Sequence, residues 1–265
     1  MLRLLAVIGL AFLASNARAE LTVAPLRQVI AADTPVATYR VSNGSNRIVD
    51  GRVRWVDLRA TETGYEPADP ALRERLSAAP FLTVQPASFR LEPGSVTLVT
   101  VRLKPGAAAP KGERRSHLLF EIDATRTPLR RASAGLEADV GLGLSTPVLL
   151  RGGPVRAAAS IGETRLLRAP DGRLEIETHV RAESGWSAYG ALDFVMREPS
   201  RPPRRLARIE NVAAYIDAPR RKAATTFDAP FLPAGALEIL YVGRAEFEGV
   251  VFARRAFEIE APKPE

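Results

Sequence analysis

Few side chains in this 265-residue chain could do covalent chemistry, and their spacing gives them no shared task. There are two histidines, His117 and His179. His117 follows Ser116, a pair of types that nucleophilic catalysis uses, but neighbours on a strand point to opposite faces and so form no catalytic pair. His179 falls in a different predicted strand, with no motif in common. Both histidines therefore read as structural residues at the surface or half-buried. No His/Asp/Glu spacing suggests a metal site. Gly141-Leu142-Gly143 lacks the third glycine and the following helix of a phosphate loop. Glu62 and Glu66 lie in a predicted loop, and nothing further supports paired-carboxylate hydrolysis. Cysteine is absent, which excludes thiol chemistry and redox switching. The expectation is no enzyme, no cofactor and no metal. An exported hydrolase would need a converging polar pocket that the sequence does not reveal.

The N-terminus is built for export. Arg3 supplies a charge, Leu4 to Ala14 is an unbroken apolar or small run, and Ala17-Arg18-Ala19 precedes Glu20 as a cleavage site. The run is too short to cross a bilayer, which takes about 20 residues. The chain is therefore predicted to lose residues 1–19 and to work outside the cytoplasm, without membrane insertion. The net charge of +7 falls to +5 when Arg3 and Arg18 leave. Only Lys104, Lys111, Lys222 and Lys263 are lysines, so the basic excess is arginine, spread along the chain rather than gathered into a stripe with aromatics. Nucleic-acid binding is not expected.

The remaining residues read as strands. Ala37, Tyr39 and Val41 alternate with polar neighbours and stop at the turn cluster Asn43-Gly44-Ser45-Asn46. Arg52 to Trp55, Val99 to Leu103 and Leu118 to Ile122 alternate likewise. Phe81 to Leu91 carries Pro86 inside it, which marks an edge or a bend. Pro93-Gly94 marks a tight turn. One helix is predicted over Pro70 to Ala79, capped by Asp69 with proline in its first turn. After Arg151-Gly152-Gly153-Pro154 a second set of strands follows, around Leu174 to Val180, Leu192 to Met196, Ile239 with Tyr241, Val250 with Phe252, and Phe257 with Ile259. Strands at this spacing without useful helices between them predict an all-β fold of two sandwich domains, 20–151 and 152–265.

One segment is unusual. From Leu136 to Leu150 the even positions are Leu136, Ala138, Val140, Leu142, Leu144, Thr146, Val148 and Leu150, apolar except for Thr146. The odd positions are small or charged, apart from Pro147 and Leu149. Strands usually run about 5–6 residues; this one has 15, about 50 Å at about 3.3 Å per residue. Its apolar row should overhang a single sandwich, and an exposed apolar edge aggregates unless it pairs with a partner. The pattern alone equally allows two strands joined, or a bulge, at Gly141 or Gly143.

Five segments in order resemble the N-terminal domain of the PapD-like periplasmic fimbrial chaperones: Pro25-Leu26-Arg27-Gln28-Val29-Ile30, Val41-Ser42-Asn43, Phe89-Arg90-Leu91-Glu92-Pro93-Gly94, Gly112-Glu113-Arg114-Arg115-Ser116-His117-Leu118, and Pro147-Val148-Leu149-Leu150-Arg151. The second half resembles the family in architecture and at Ser187-Ala188-Tyr189-Gly190 and Ala213-Ala214-Tyr215. The resemblance implies two immunoglobulin-like domains in an L shape, in the periplasm, with pilin or pilin-like subunits and an outer-membrane usher as partners, and a self-capping dimer as a state of the free chain. It also implies donor-strand complementation, in which alternating apolar side chains fill the groove of a subunit that lacks its last strand. The donor row would be Ala138, Val140 and Leu142, flanked by Leu136 and Leu144. The subunit's terminal carboxylate would be anchored by Arg27, whose guanidinium can donate two parallel hydrogen bonds. With Arg151 aligned to the family's strand-end arginine, Pro147 stands where a lysine is usual. Either Arg151 or another cation replaces that lysine, or the clamp is incomplete. A second function stays open: an envelope structural or adhesive protein that self-associates through its immunoglobulin-like domains.

Overall fold

The computed structural model describes residues 21–122, 143–229 and 231–260. The signal segment, and Leu136, Ala138, Val140 and Leu142 of the long apolar row, lie outside the described residues. The strands in chain order are β1 (Leu21–Ala24), β2 (Gln28–Ile30), β3 (Val36–Asn43), β4 (Val49–Val56), β5 (Leu58–Ala60), β6 (Tyr65–Pro67), β7 (Leu82–Gln85), β8 (Ser88–Leu91), β9 (Val96–Leu103), β10 (Gly112–Ile122), β11 (Gly143–Gly152), β12 (Ala159–Arg168), β13 (Leu174–Ala182), β14 (Ala188–Arg197), β15 (Arg204–Ala214), β16 (Arg221–Thr226), β17 (Gly235–Gly243) and β18 (Val251–Ile259). Among the described residues one α-helix, α1 (Pro70–Leu76), joins them, and one-turn 3-10 segments cover Ala79–Phe81 and Ala245–Phe247. The fold is all-β.

Two sheets, β1-β3-β9-β7 and β2-β11-β10-β4-β8, pack over one apolar core. Tyr39, Val41, Val99, Val101, Leu118, Phe120, Val148 and Leu150 are fully buried in it. The sheets β12-β13-β16 and β15-β14-β17-β18 enclose a second core around Ile176, Leu192, Phe194, Ile239 and Tyr241. Each named residue lies on the apolar phase of its strand's alternation, so burial of one face sets the register of these sheets.

Polar residues fix the ends of elements. The Asn43 amide donates to the carbonyls of Arg47 (2.6 Å), Leu91 (3.0 Å) and Glu92 (3.2 Å), while its Oδ1 accepts from the Ser45 N–H. That one buried side chain closes the predicted turn and ties it to the Pro93-Gly94 turn. Asp69 caps α1 by accepting from the Leu72 N–H at 2.8 Å. The helix stops at Leu76, short of the expected Ala79. Ser77 turns extended there, and its hydroxyl donates to Asp57. Pro86 lies at a bend between β7 and β8, which are edge strands of different sheets, so its missing N–H interrupts no ladder. Val250, expected to share the closing strand's alternation with Phe252, lies just before β18 and is exposed.

The long strand is described from Gly143 onward, and it runs two residues past Leu150. It pairs antiparallel with β10 over its whole length, from Gly143 opposite Glu121 to Gly152 opposite Gly112. On its other edge it pairs in parallel with β2 over three residues only, Val148 to Leu150. Gly152 passes so close to the Pro110 carbonyl that a Cβ would sit 2.0 Å from its oxygen. Gly153 then takes φ +110°, which L side chains rarely adopt, and the chain leaves the sheet.

Candidate functional site, a seam of buried arginines

The site begins on β10. Its even residues Leu118, Phe120 and Ile122 face the core, as the alternation predicts. Its odd residues Glu113, Arg115 and His117 look solvent-facing in sequence but are also buried. They lie along the seam where the first pair of sheets meets the second.

Glu113 holds Arg151, which projects from the odd face of β11. Arg151 Nε donates to Glu113 Oε2 at 2.8 Å, and each side chain is 1% exposed. Arg151 Nη2 donates to the Ser187 carbonyl at 3.1 Å, and the Ser187 hydroxyl and N–H donate back to Glu113. Arg151 Nη1 donates to Glu246 Oε1 at 2.7 Å. Arg27, just before β2, reaches the same carboxylate, donating from Nη1 to Oε2 (2.9 Å) and from Nη2 to Oε1 (2.6 Å). Its guanidinium lies 4.4 Å above the Tyr189 ring. Two guanidiniums thus converge on Glu246, which belongs to the Ala245–Phe247 turn of the second pair of sheets.

The electrostatics follow from this packing. Burial works to lower the Arg27 pKa, but the hydrogen bond and charge of Glu246 outweigh it and raise the pKa overall. Burial works to raise the Glu246 pKa, but the Arg27 hydrogen bond and the charges of Arg27 and Arg151 bring it below the usual range. The group is a charge-assisted, bidentate cluster of the kind that guanidinium geometry favours.

Arg115 makes a second cluster two residues along β10. It donates to Asp217 Oδ2 at 2.8 Å and to the Leu58 carbonyl at 3.0 Å. The Tyr215 ring lies 4.0 Å from its guanidinium carbon and the Tyr65 ring 5.8 Å. Asp217 also accepts from the Ala60 N–H at 2.8 Å. His117 completes the row, its ring edge-on to Tyr65 with centroids 4.7 Å apart. Neither ring nitrogen of His117 has a hydrogen-bond partner among the described residues, and burial brings its pKa down to about 3.

Of the expected site residues, the structure brings Arg27 and Arg151 to one carboxylate. Arg151 is the cation beside Arg27, at a strand where Pro147 can offer none. Leu144 extends the even face of β11 outward and is 36% exposed, whereas Val148 and Leu150 on that face are fully buried. Leu136, Ala138, Val140 and Leu142 lie outside the described residues. The expectation for the histidines is corrected: neither sits at the surface or half-buried. His117 is 1% exposed because Tyr65 covers it, and His179 is buried where it meets Glu62 Oε1 at 2.5 Å across the seam. Ser116 is occupied on the opposite face, donating to Asp57 at 2.5 Å and accepting from the Ala78 and Ala79 N–H groups. No group of three potential metal ligands exists among the described residues. The sequence did not single out Glu246, Asp217 or Tyr189's ring as partners. Glu246 lies 219 residues from Arg27, and no local pattern links them.

No family model matches the chain. No curated protein matches it in sequence. Among solved structures it is similar to the CupB2 chaperone of Pseudomonas aeruginosa, at 13% identity, 91% of this chain, 100% of that chain and a TM-score of 0.43. It is similar to the CsuC–CsuE chaperone–subunit complex of archaic Csu pili from Acinetobacter baumannii, at 9% identity, 92% and 100% coverage and a TM-score of 0.46. It is also similar to SafB, the chaperone in complex with the SafA pilin of Salmonella enterica, at 16% identity, 90% and 96% coverage and a TM-score of 0.43. A PapD-like domain of human CEP192 matches 57% of this chain at a TM-score of 0.34. What this chain is similar to, among solved structures, is the PapD-like fold of the pilus chaperones.

Proposed function

We propose that this chain is an exported chaperone for pilin-like subunits, working in two units, 20–151 and 152–265. It holds an incomplete immunoglobulin-like subunit by lending β11, with the apolar row before it, as the missing strand. The observation that carries this reading is the free edge of β11. From Gly143 to Pro147 it is paired on one side only among the described residues. Along that stretch its apolar face runs out of the core into solvent at Leu144. Such an edge invites pairing. Leu136, Ala138, Val140 and Leu142 continue the alternation as donor residues. Each Val or Leu buried in a client groove contributes about 1.5–3 kcal/mol. Arg27 and Arg151 would receive the client's terminal carboxylate, an outer-membrane usher would take the loaded complex, and a dimer would cap the free strand. The compartment is the periplasm.

The test is co-expression with a candidate subunit that is insoluble alone. The chaperone should keep it soluble and co-purify with it. The double change Val140→Asp and Leu142→Asp should abolish capture while leaving the chaperone folded; undiminished capture sinks the donor-strand reading. A stable homo-oligomer through 136–150 with no foreign client would instead favour a self-associating envelope protein.

A further inference from the structure

We propose that Glu246 is a placeholder in the arginine seat: it fills the anchor when no ligand is bound, and a ligand carboxylate enters only by taking its place. Glu246 is then the residue that sets the specificity of the seat. The identity of the ligand, a client's terminal carboxylate, rests on the chaperone reading above.

Charge balance comes first. Arg27 and Arg151 face two carboxylates, Glu113 and Glu246. A third carboxylate added to this set would bring an unpaired charge into a nearly water-free place. Removing Glu246 without replacement would leave an uncompensated buried cation. Exchange of one carboxylate for another keeps the balance throughout.

The hold on the two carboxylates is unequal. Glu113 is 1% exposed and clamped by Arg151 and Ser187 together. Glu246 is 27% exposed. It alone of the pair has access to water, so it is the one that can leave. After it leaves, Arg151 keeps Glu113 and the Ser187 carbonyl. Arg27 keeps no side-chain hydrogen bond among the described residues, only the Tyr189 ring and the more distant charge of Glu113, and so becomes the open position. Departure needs no backbone rearrangement. The turn is closed by its own bonds, Phe247 N–H to the Arg244 carbonyl and Glu248 N–H to the Ala245 carbonyl, and is pinned by buried Phe247. A rotation of the Glu246 side chain suffices.

The experiment is chemical rescue of Glu246→Ala. Its melting temperature should fall, and sodium acetate should restore it with saturation where sodium chloride of equal ionic strength does not. The wild type should respond to acetate no more than to chloride. The double variant Arg27→Ala with Glu246→Ala should lose the acetate response. A peptide ending in a free carboxylate should bind Glu246→Ala at least about tenfold more tightly than its C-terminal amide, and should discriminate less on the wild type. If the alanine variant does not fold, Glu246→Ser, which also vacates the seat, carries the same measurements. Equal effects of acetate and chloride, or an acetate response that survives loss of Arg27, overturn the proposal. Failed rescue with intact client capture removes the placeholder and leaves the chaperone reading standing; rescue without client capture does the reverse.

Discussion

Two ion clusters bridge the seam, and both start from the same face of β10, two residues or about 6.7 Å apart. They are built differently. Arg115 and Asp217 are sealed, at 6% and 2% exposure, with tyrosine rings and backbone groups around them. The Glu113–Arg151–Arg27 cluster is sealed at its inner end and open at Glu246. Burial of an ion pair does not stabilise by itself, because desolvation offsets attraction; the large effect appears when one partner is removed. The sealed cluster therefore behaves as a rivet. The open one can trade its outer partner.

Asp217→Ala is the harshest test of this contrast. It strands Arg115 in the seam and should cost about 3–5 kcal/mol in denaturant unfolding. Glu246→Gln should cost less, about 1.5–3 kcal/mol, as for a lost hydrogen bond to a charged group that retains some solvent. Equal losses for the two would break the distinction between rivet and seat.

The third residue of the row sharpens it through pH. His117 has its folded pKa brought down to about 3, so below its unfolded value of about 6.5 only the unfolded chain gains the proton. Stability is fully present above that range and falls as the pH drops toward 3. Between pH 7 and pH 5 the loss should be about 2 kcal/mol, and His117→Leu should flatten this part of the curve. A slope unchanged in the leucine variant would mean that His117 is not held neutral.

The smallest effect belongs to Glu246. Its folded pKa lies below its unfolded one, so its contribution is present above the unfolded value of about 4.3 and is lost as the pH falls through the folded value. A melting series below pH 4 should show an acid-sensitive component that Glu246→Gln lacks. If the two curves stay parallel, the arginines do not hold Glu246 ionised.

The sandwiches were legible because burial of one face writes a period of two into β3, β9 and β14. The cap at Asp69 and the turn at Asn43 were legible because those side chains serve neighbours in sequence. β10 shows what was not. Gly112 to His117 looks like a wet strand with a charged outer face, yet that face is dry, since a second set of strands covers it. Composition does not distinguish a charge that meets water from one that meets an opposite charge brought from 95 or 219 residues away. Arg27 and Arg151 came from resemblance, and their shared carboxylate needed three-dimensional proximity.

The unbroken ladder between β10 and β11 has one more consequence. Leu144 and Arg151 stand seven residues apart on a strand that cannot stretch, about 23 Å at about 3.3 Å per residue. The strand is a ruler. A segment that lies along the one-sided edge from Gly143 to Pro147, where β2 takes over, and also reaches the arginines must be of matching length, and one residue too many turns its side chains to the wrong face. Length, ahead of side-chain identity, would then be the first thing this protein reads in whatever it holds.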